Sequence, residues 1–295
     1  MSRKIEMVVA NPAGNTTLMV TSPVEIADYQ EVANKLLEID FGKEYGVRFT
    51  KPDSESVMGE QVEFLLPDVP GELPAMNMCG LEFCGNASRS FAYYRAAVLG
   101  EGIPGDDGRK ALQVRVSGCS YPLAASIDAE GHSAQIQMPT PVNVIELTAD
   151  ELGLKEENPE LDKCLLLDLD GISHLVLTGI EATAEKFERI RKYCYEKAGD
   201  MEAFGVMFLE KDMLTMTPVV YVRDVDTTYF EGSCASGTSA ASCALALAGD
   251  DGESEYHFIE PAGDLNTIVV KKDGRIESIY LDGLMELSDA ITVEL

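Results

Sequence analysis

The strongest constraint on this chain is that it contains its own echo. Gly14-Asn-Thr-Thr-Leu-Met-Val is answered by Gly171-Ile-Ser-His-Leu-Val-Leu, and Glu82-Phe-Cys84-Gly-Asn-Ala-Ser by Glu231-Gly-Ser-Cys234-Ala-Ser-Gly-Thr. Val116-Ser-Gly118 is answered by Pro261-Ala-Gly263. The three pairs occur in the same order. From glycine to cysteine the spacing is 70 residues in the first lap (14 to 84) and 63 in the second (171 to 234). From cysteine to the last glycine it is 34 and then 29. A repeat of about 150 residues points to two similar domains, since solenoid arrays repeat at about 20–50 residues.

Hydrophobic periodicity gives each lap the same alternation of strands and helices. In the first, Lys4–Val9 and Thr17–Val20 read as strands around a turn at Asn11–Asn15. Val24–Ile39 reads as a helix, Gln61–Leu66 as a strand and Ala87–Leu99 as a buried helix. Gln113–Val116 and Tyr121–Ile127 read as a hairpin. In the second, Leu165–Asp168 and Leu175–Thr178 read as strands around Asp170–Ser173, followed by a helix at Thr183–Ala198. Strands at Val206–Leu209 and Val219–Val222 precede a small-residue helix at Thr238–Ala248. Strands at Tyr256–Ile259 and Thr267–Lys271 flank a turn at Pro261–Asp264. The expected class is α/β, with both laps mixing strands and helices. The expected division is residues 1–134 with 286–295, carrying Cys84, and residues 135–285, carrying Cys234.

Charge and cysteine usage narrow the function classes. Acids outnumber bases 51 to 23, a formal charge of −28, and no basic stripe exists for a phosphate backbone, so no nucleic-acid partner is expected. No apolar stretch reaches 18 residues, and Glu6 and Asn11 interrupt the amino-terminal segment, so the expectation is a cytoplasmic protein without a membrane span. The seven cysteines include no Cys-x-x-Cys, and the three histidines lie far from any cysteine pair, so neither a disulfide framework nor a zinc site is expected. Cys164, Cys194 and Cys243 fall inside strands or helices and read as structural, whereas Cys79 precedes a helix and Cys119 sits in a hairpin turn.

Cys84 and Cys234 each precede small residues and then a helix. A helix N-terminus carries unpaired N–H groups and a positive end. Such a place favours thiolate, lowering a cysteine pKa toward neutrality, and its amides can hold a carboxylate. Two of them facing one α-carbon would let one thiolate remove a proton while the opposite thiol delivers one to the other face. The carbanion needs electrostatic stabilisation in a site closed to water, and needs neither metal nor Schiff-base cofactor. The bland alternative is that both are small core residues at helix starts.

These motifs carry a resemblance. With Asn11-Pro-Ala-Gly-Asn-Thr-Thr, Val114-Arg-Val-Ser-Gly-Cys-Ser, Gln137-Met-Pro and Glu260-Pro-Ala-Gly, they span residues 11 to 263. The chain resembles the diaminopimelate epimerase-like superfamily of cofactor-independent two-cysteine racemases, and most the histidine racemases of staphylopine-type metallophore pathways. The resemblance implies two pseudo-symmetric domains, each a barrel-like mixed sheet around a central helix, with a cleft site and an amino acid as substrate. It implies Cys84 and Cys234 as acid/base pair, and Gly85, Asn86, Ala235, Ser236 and Gly237 as contacts to the substrate carboxylate. Asn15, Glu231, His174 and Glu44 are the further substrate contacts it implies, with Glu231 for the α-ammonium. A homodimer is a family-level expectation.

Three departures bear on the substrate. The run Asp226-Thr-Thr-Tyr-Phe-Glu-Gly-Ser lacks the arginine that diaminopimelate epimerases place before the second cysteine, and Tyr229 and Phe230 would suit a flat side chain. Ala235 stands where relatives carry glycine, which requires a negative φ there. Glu44-Tyr-Gly-Val departs from the histidine-racemase run. A histidine racemase is therefore the leading expectation. A diaminopimelate epimerase and a non-catalytic amino-acid-binding protein remain the alternatives.

Overall fold

The computed structural model describes residues 3–161, 163–169, 171–199, 201–210, 212–223 and 226–295. Asp170, at the start of one expected turn, lies outside them. The described chain forms two compact units, residues 1–137 with 282–295 and residues 138–281. Both are rich in strands, and no described helix is long and apolar enough to cross a membrane.

In the first unit the strand Lys4–Pro12 pairs antiparallel with Thr17–Val20, Met285–Leu287 and Ile291–Glu294. Thr17–Val20 pairs parallel with Gln61–Leu65, which pairs antiparallel with Ala75–Met78. Ala75–Met78 then runs parallel to Lys110–Val116, itself antiparallel to Leu123–Asp128. The sheet wraps around one helix, Gly85–Tyr93, which continues as a π-helical turn over Tyr94–Val98. A second helix, Tyr29–Leu37, lies in the crossover between the parallel strands and covers the other face.

Alternation along the strands decides which side chain meets which helix. Ile5, Met7, Val9, Leu18, Val20, Val62 and Phe64 pack with Tyr29, Val32 and Leu36 of the covering helix. Tyr29 stacks on Phe64 with ring centroids 3.8 Å apart. The intervening residues, among them Thr17, Met19, Gln61 and Glu63, face the other way, toward Gly85–Tyr93.

The second unit repeats this pairing sequence. Lys163–Asp168 pairs antiparallel with Ile172–Thr178, which runs parallel to Ala203–Glu210. Ala203–Glu210 pairs antiparallel with Thr215–Val222, which touches Gly252–Ile259 in parallel. Gly252–Ile259 pairs antiparallel with Asp264–Lys272. The crossover helix is Ala184–Ala198, N-capped by Thr183, whose hydroxyl accepts from the Lys186 amide. It buries Phe187, Ile190 and Cys194 against Cys164, Leu166, Leu175, Phe204 and Val206. The inner helix is Ala235–Ala248. Antiparallel, parallel, antiparallel, parallel, antiparallel is thus the order of pairing in both units.

Several elements differ from the sequence reading. Both inner helices begin immediately after the cysteine, at Gly85 and Ala235, two and three residues earlier than their apolar pattern indicated. The small polar residues there are buried helix rather than loop. The region read as one helix over Val24–Ile39 opens with a 3-10 turn, Ile26–Asp28. The strand read as Tyr256–Ile259 starts four residues earlier, at Gly252. Strands at Ala75–Met78, Ser133–Met138, Asn143–Thr148, Thr227–Phe230 and Arg275–Gly283 were not anticipated. Cys164, Cys194 and Cys243 are buried free thiols.

Candidate active site

Cys84 is the N-cap of the first unit's inner helix, with extended backbone angles φ −136° and ψ 116°. Its sulfur accepts from the Ala87 amide at 3.4 Å, and its carbonyl accepts from the Ser88 amide and hydroxyl. The thiol donates to Gln61 Oε1 at 3.1 Å. Gln61 Nε2 donates in turn to Asn15 Oδ1 at 2.6 Å and Thr17 Oγ1 at 2.7 Å. Asn15 Nδ2 donates to Glu60 at 2.9 Å. A continuous polar chain therefore joins Asn15 to Cys84. Gly85 and Asn86 are buried in the first helical turn, and Asn86 Oδ1 accepts from the buried Arg89 guanidinium.

Cys234 takes the same place in the second unit, with φ −131° and ψ 101°. Its amide donates to Glu260 Oε2 at 2.7 Å, and its carbonyl accepts from the Thr238 amide and hydroxyl. Thr238 Oγ1 also hydrogen-bonds the other Glu260 oxygen. The thiol hydrogen-bonds the Glu231 carboxylate and lies 3.7 Å from Ser236 Oγ. Ser236 Oγ lies 2.8 Å from Nε2 of the fully buried His174. Ala235 opens the helix and is not among the residues of positive φ, so alanine fits where relatives carry glycine.

The third repeated motif fixes how each chain enters its helix. Ser117 Oγ donates to the Glu82 carbonyl and accepts from the Met78 amide. Gly118 (φ 70°) comes so close that a Cβ would meet the Phe83 nitrogen at 2.2 Å, which excludes any side chain. In the second unit the Ala262 amide donates to the Gly232 carbonyl at 2.8 Å. In each case the segment two residues before the cysteine is held from below.

Burial reverses the expected thiol acidity. Desolvation pushes Cys84 up to about 12; the nearby acids Glu82 and Glu63 add to the rise, and the Ala87 and Asn86 amides oppose it. Desolvation likewise pushes Cys234 well above the ordinary thiol range, reinforced by Glu231 and Glu260 and opposed by the Gly237 amide. The helix end favours thiolate, but losing water outweighs it. Both sulfurs are thiols at neutral pH. Desolvation also holds His174 neutral, down at about 3, and raises Glu260 to about 8, so that carboxyl is protonated at neutral pH.

The remaining expected contacts fall in different places. Gly237 packs on Met207, whose sulfur would lie 2.1 Å from an added Cβ. Glu44 is exposed in the short helix Phe41–Tyr45, and its carboxylate accepts from the Asp40 amide at 3.3 Å. No hydrogen bond links it to the Cys84 mouth. Tyr229 and Phe230 are exposed on adjacent positions of one strand and so point to opposite faces.

Gln61, Glu63 and Glu260 were missed as site residues. The available signal is two polar side chains, Gln61 and Glu63, on one face of an otherwise apolar strand, a face that turns toward a buried helix. Glu260 lies in a matched segment yet needed its partner, the Cys234 amide, to acquire a role.

Comparison with known proteins follows this geometry. Residues 4–291 match the family model of the histidine racemase CntK N-terminal domain. This chain belongs to that family. The histidine racemase of Fusobacterium nucleatum is 30% identical over 291 residues, covering 96% of this chain and 94% of that protein. The histidine racemase of Staphylococcus aureus is 25% identical, covering 88% and 87%. Among solved structures, a hydroxyproline epimerase from Agrobacterium vitis superposes with a TM-score of 0.59 at 9% identity, covering 99% of this chain and 93% of that one. That likeness shows the fold alone. The protein is a racemase, an isomerase of mixed α/β architecture, and its sequence family covers both cysteine motifs.

Proposed function

We propose that this racemase inverts the α-carbon of a free amino acid, with histidine the favoured substrate, through proton transfer by Cys84 and Cys234. The observation that carries the reading is the placement of each cysteine as N-cap of a buried inner helix, in two units with the same pairing order. The relatives named as histidine racemases support the choice of side chain.

The chemistry follows from the two mouths. Amides at a helix start have no intrahelical acceptor and suit the substrate carboxylate. Gly85 and Asn86 would serve it on one side, Ala235, Ser236 and Gly237 on the other. Both thiols begin neutral, so a thiolate must be created. An α-ammonium at Glu231 would neutralise the acid that hydrogen-bonds Cys234 and raises its pKa, making its proton easier to lose to solvent as the substrate binds. The thiolate then takes the α-proton and becomes a thiol, leaving a carbanion beside the bound carboxylate. The opposite thiol gives its proton to the other face and becomes the thiolate of the next turnover. The two cysteines therefore titrate as a pair. Asn15, aligned by Gln61, and His174, aligned by Ser236, would hold the substrate in register.

The test is a chiral screen of amino acids in deuterated water without pyridoxal phosphate. Histidine should racemise fastest and gain deuterium at the α-carbon. Diaminopimelate, assayed alongside, should be a poor substrate. If Cys84→Ser and Cys234→Ser both retained full activity, the two-thiol mechanism would be wrong.

A further inference from the structure

Glu63 is fully buried, and neither of its carboxyl oxygens has a hydrogen-bond partner. A buried polar group without a partner costs stability, so one that persists needs a physical account. Its position supplies one. Gln61, two residues earlier in the same strand, reaches the Cys84 sulfur, and residues i and i+2 of a strand share a face. Beside Glu63 in the sheet stand Met19 and Met78, neither of which can donate a hydrogen bond. The acids that act on Cys84 are Glu82 and Glu63, and Glu60 lies farther along the hydrogen-bonded chain through Asn15 and Gln61. Burial holds the Glu63 carboxyl in its neutral, proton-bearing form.

The second unit shows what this position touches. Thr17 pairs with Gln61 in register as His174 pairs with Gly205, so two residues on, Glu63 corresponds to Met207. Met207 lies against the first turn of the Cys234 helix, where its sulfur meets Gly237. The methionine fits there because Gly237 has no Cβ, whereas the first unit carries Ala87 at that place, so the two pockets differ by one methyl as well as by the acid. The donors near the two sulfurs differ accordingly. Cys234 has the Ser236 hydroxyl 3.7 Å away, whereas the donor to the Cys84 sulfur is the Ala87 backbone amide at 3.4 Å and no side-chain hydroxyl.

We propose that Glu63 is a positioning residue for Cys84, a neutral carboxyl whose O–H turns to the sulfur as hydrogen-bond donor once Cys84 has given up its proton. While Cys84 is a thiol donating to Gln61 its sulfur is only a weak acceptor, and Glu63 makes no hydrogen bond to it. During turnover the thiolate accepts from the carboxyl, and no proton need transfer. The Cys234 half-reaction does not use Glu63. This assignment rests on the two-thiol reading above.

The experiment compares Glu63→Gln, which keeps a donor of similar shape, with Glu63→Met, the residue at the matched place. One lost hydrogen bond to a charged sulfur predicts that kcat falls about tenfold to a hundredfold in Glu63→Met with KM little changed. Glu63→Gln should stay within about threefold of the parent, since an amide still donates. Alkylation of each cysteine by iodoacetamide across pH, read by peptide mass spectrometry, supplies a second readout. Its midpoint for Cys84 should be about one unit higher in Glu63→Met than in Glu63→Gln, with the Cys234 midpoint unmoved. A folded Glu63→Met protein with parental kcat, a Glu63→Gln loss as large as that of Glu63→Met, or an unmoved Cys84 midpoint would each overturn the assignment. Should Glu63→Met not fold, Glu63→Leu carries the same comparison. The alkylation profile needs no substrate, so it stands or falls separately from the racemisation assay of Cys84→Ser.

Discussion

The two helix mouths solve one problem with opposite parts. In the first unit a small side chain, Thr17, sits beside a long one, Gln61, and the long one reaches the cysteine. In the second, the matched pair is a large side chain, His174, beside none at all, Gly205. A Cβ on Gly205 would meet His174 Nδ1 at 2.3 Å, so the ring occupies the space that the Gln61 side chain fills in the other unit. The helix entry is tied down by a serine hydroxyl in one unit and by a buried carboxyl with a backbone bond in the other. The pairing order is shared while the polar contents have been exchanged. Both mouths keep a capping cysteine with a polar neighbour in reach of it, the minimum that the proposed two-thiol chemistry would need, and they do so with different residues.

The comparison breaks most visibly at the cysteines. If the mouths are equivalent in the reaction, Cys84→Ser and Cys234→Ser should each lower kcat by about a hundredfold to ten-thousandfold, the range for removing a positioned acid or base. A large loss at one cysteine alone, measured by chiral chromatography, would mean that only one mouth is chemical.

The next test exchanges the packing pair. Gly205→Ala forces a methyl into His174 and Met207, and should cost about 1–3 kcal/mol of stability by urea unfolding. His174→Thr beside it copies the arrangement of the first unit and should recover most of that loss, a coupling expected between touching residues. A double-variant loss equal to the sum of the Gly205→Ala and His174→Thr losses would show that the two sites are independent.

How much of this was legible beforehand depends on what alternation can and cannot say. It located the strands at Lys4, Thr17, Gln61, Leu165 and Val219, and it found both inner helices but started them two and three residues late, because the small polar residues after each cysteine carry no apolar signal. It could not say that the polar face of Gln61–Leu65 meets a buried helix instead of water, because the pattern is identical in both cases. Nor could it pair His174 with Gly205, or Glu260 with the Cys234 amide, since each contact joins residues far apart in the chain. Thiol acidity was misjudged for a related reason. A helix end is visible in sequence, whereas the depth of burial that outweighs it is a property of the assembled fold. The strand at Asn143–Thr148 buries only Leu147, so its sequence gives little apolar signal.

A third contrast concerns pH. Glu260 binds its proton more tightly folded than unfolded, so the folded state holds the extra proton between about 4.5 and about 8. Stability should fall as pH rises through that window, and Glu260→Gln should flatten the fall in urea midpoints recorded from pH 5 to 9. His174 acts in the other direction. It resists protonation in the folded state, so stability should drop as pH falls from about 6.5 toward about 3. His174→Asn should remove part of that acid-side loss. Gln61 contributes no titration of its own, and Gln61→Ala should be the mildest change, about 0.5–1.5 kcal/mol with little pH dependence. A steep new pH dependence in Gln61→Ala would mean that Glu60, linked to it through Asn15, is the group being controlled.

The strand Ile291–Glu294 runs beside Lys4–Met7, so the unit that carries Cys84 takes its edge from opposite ends of the chain. A ribosome making this protein finishes the Cys234 unit in one continuous stretch, while the earlier residues wait for their last strands to emerge. Newly made chains should therefore pass through a stage in which one half is shaped and the other is still open, the stage at which a chaperone would find most to hold.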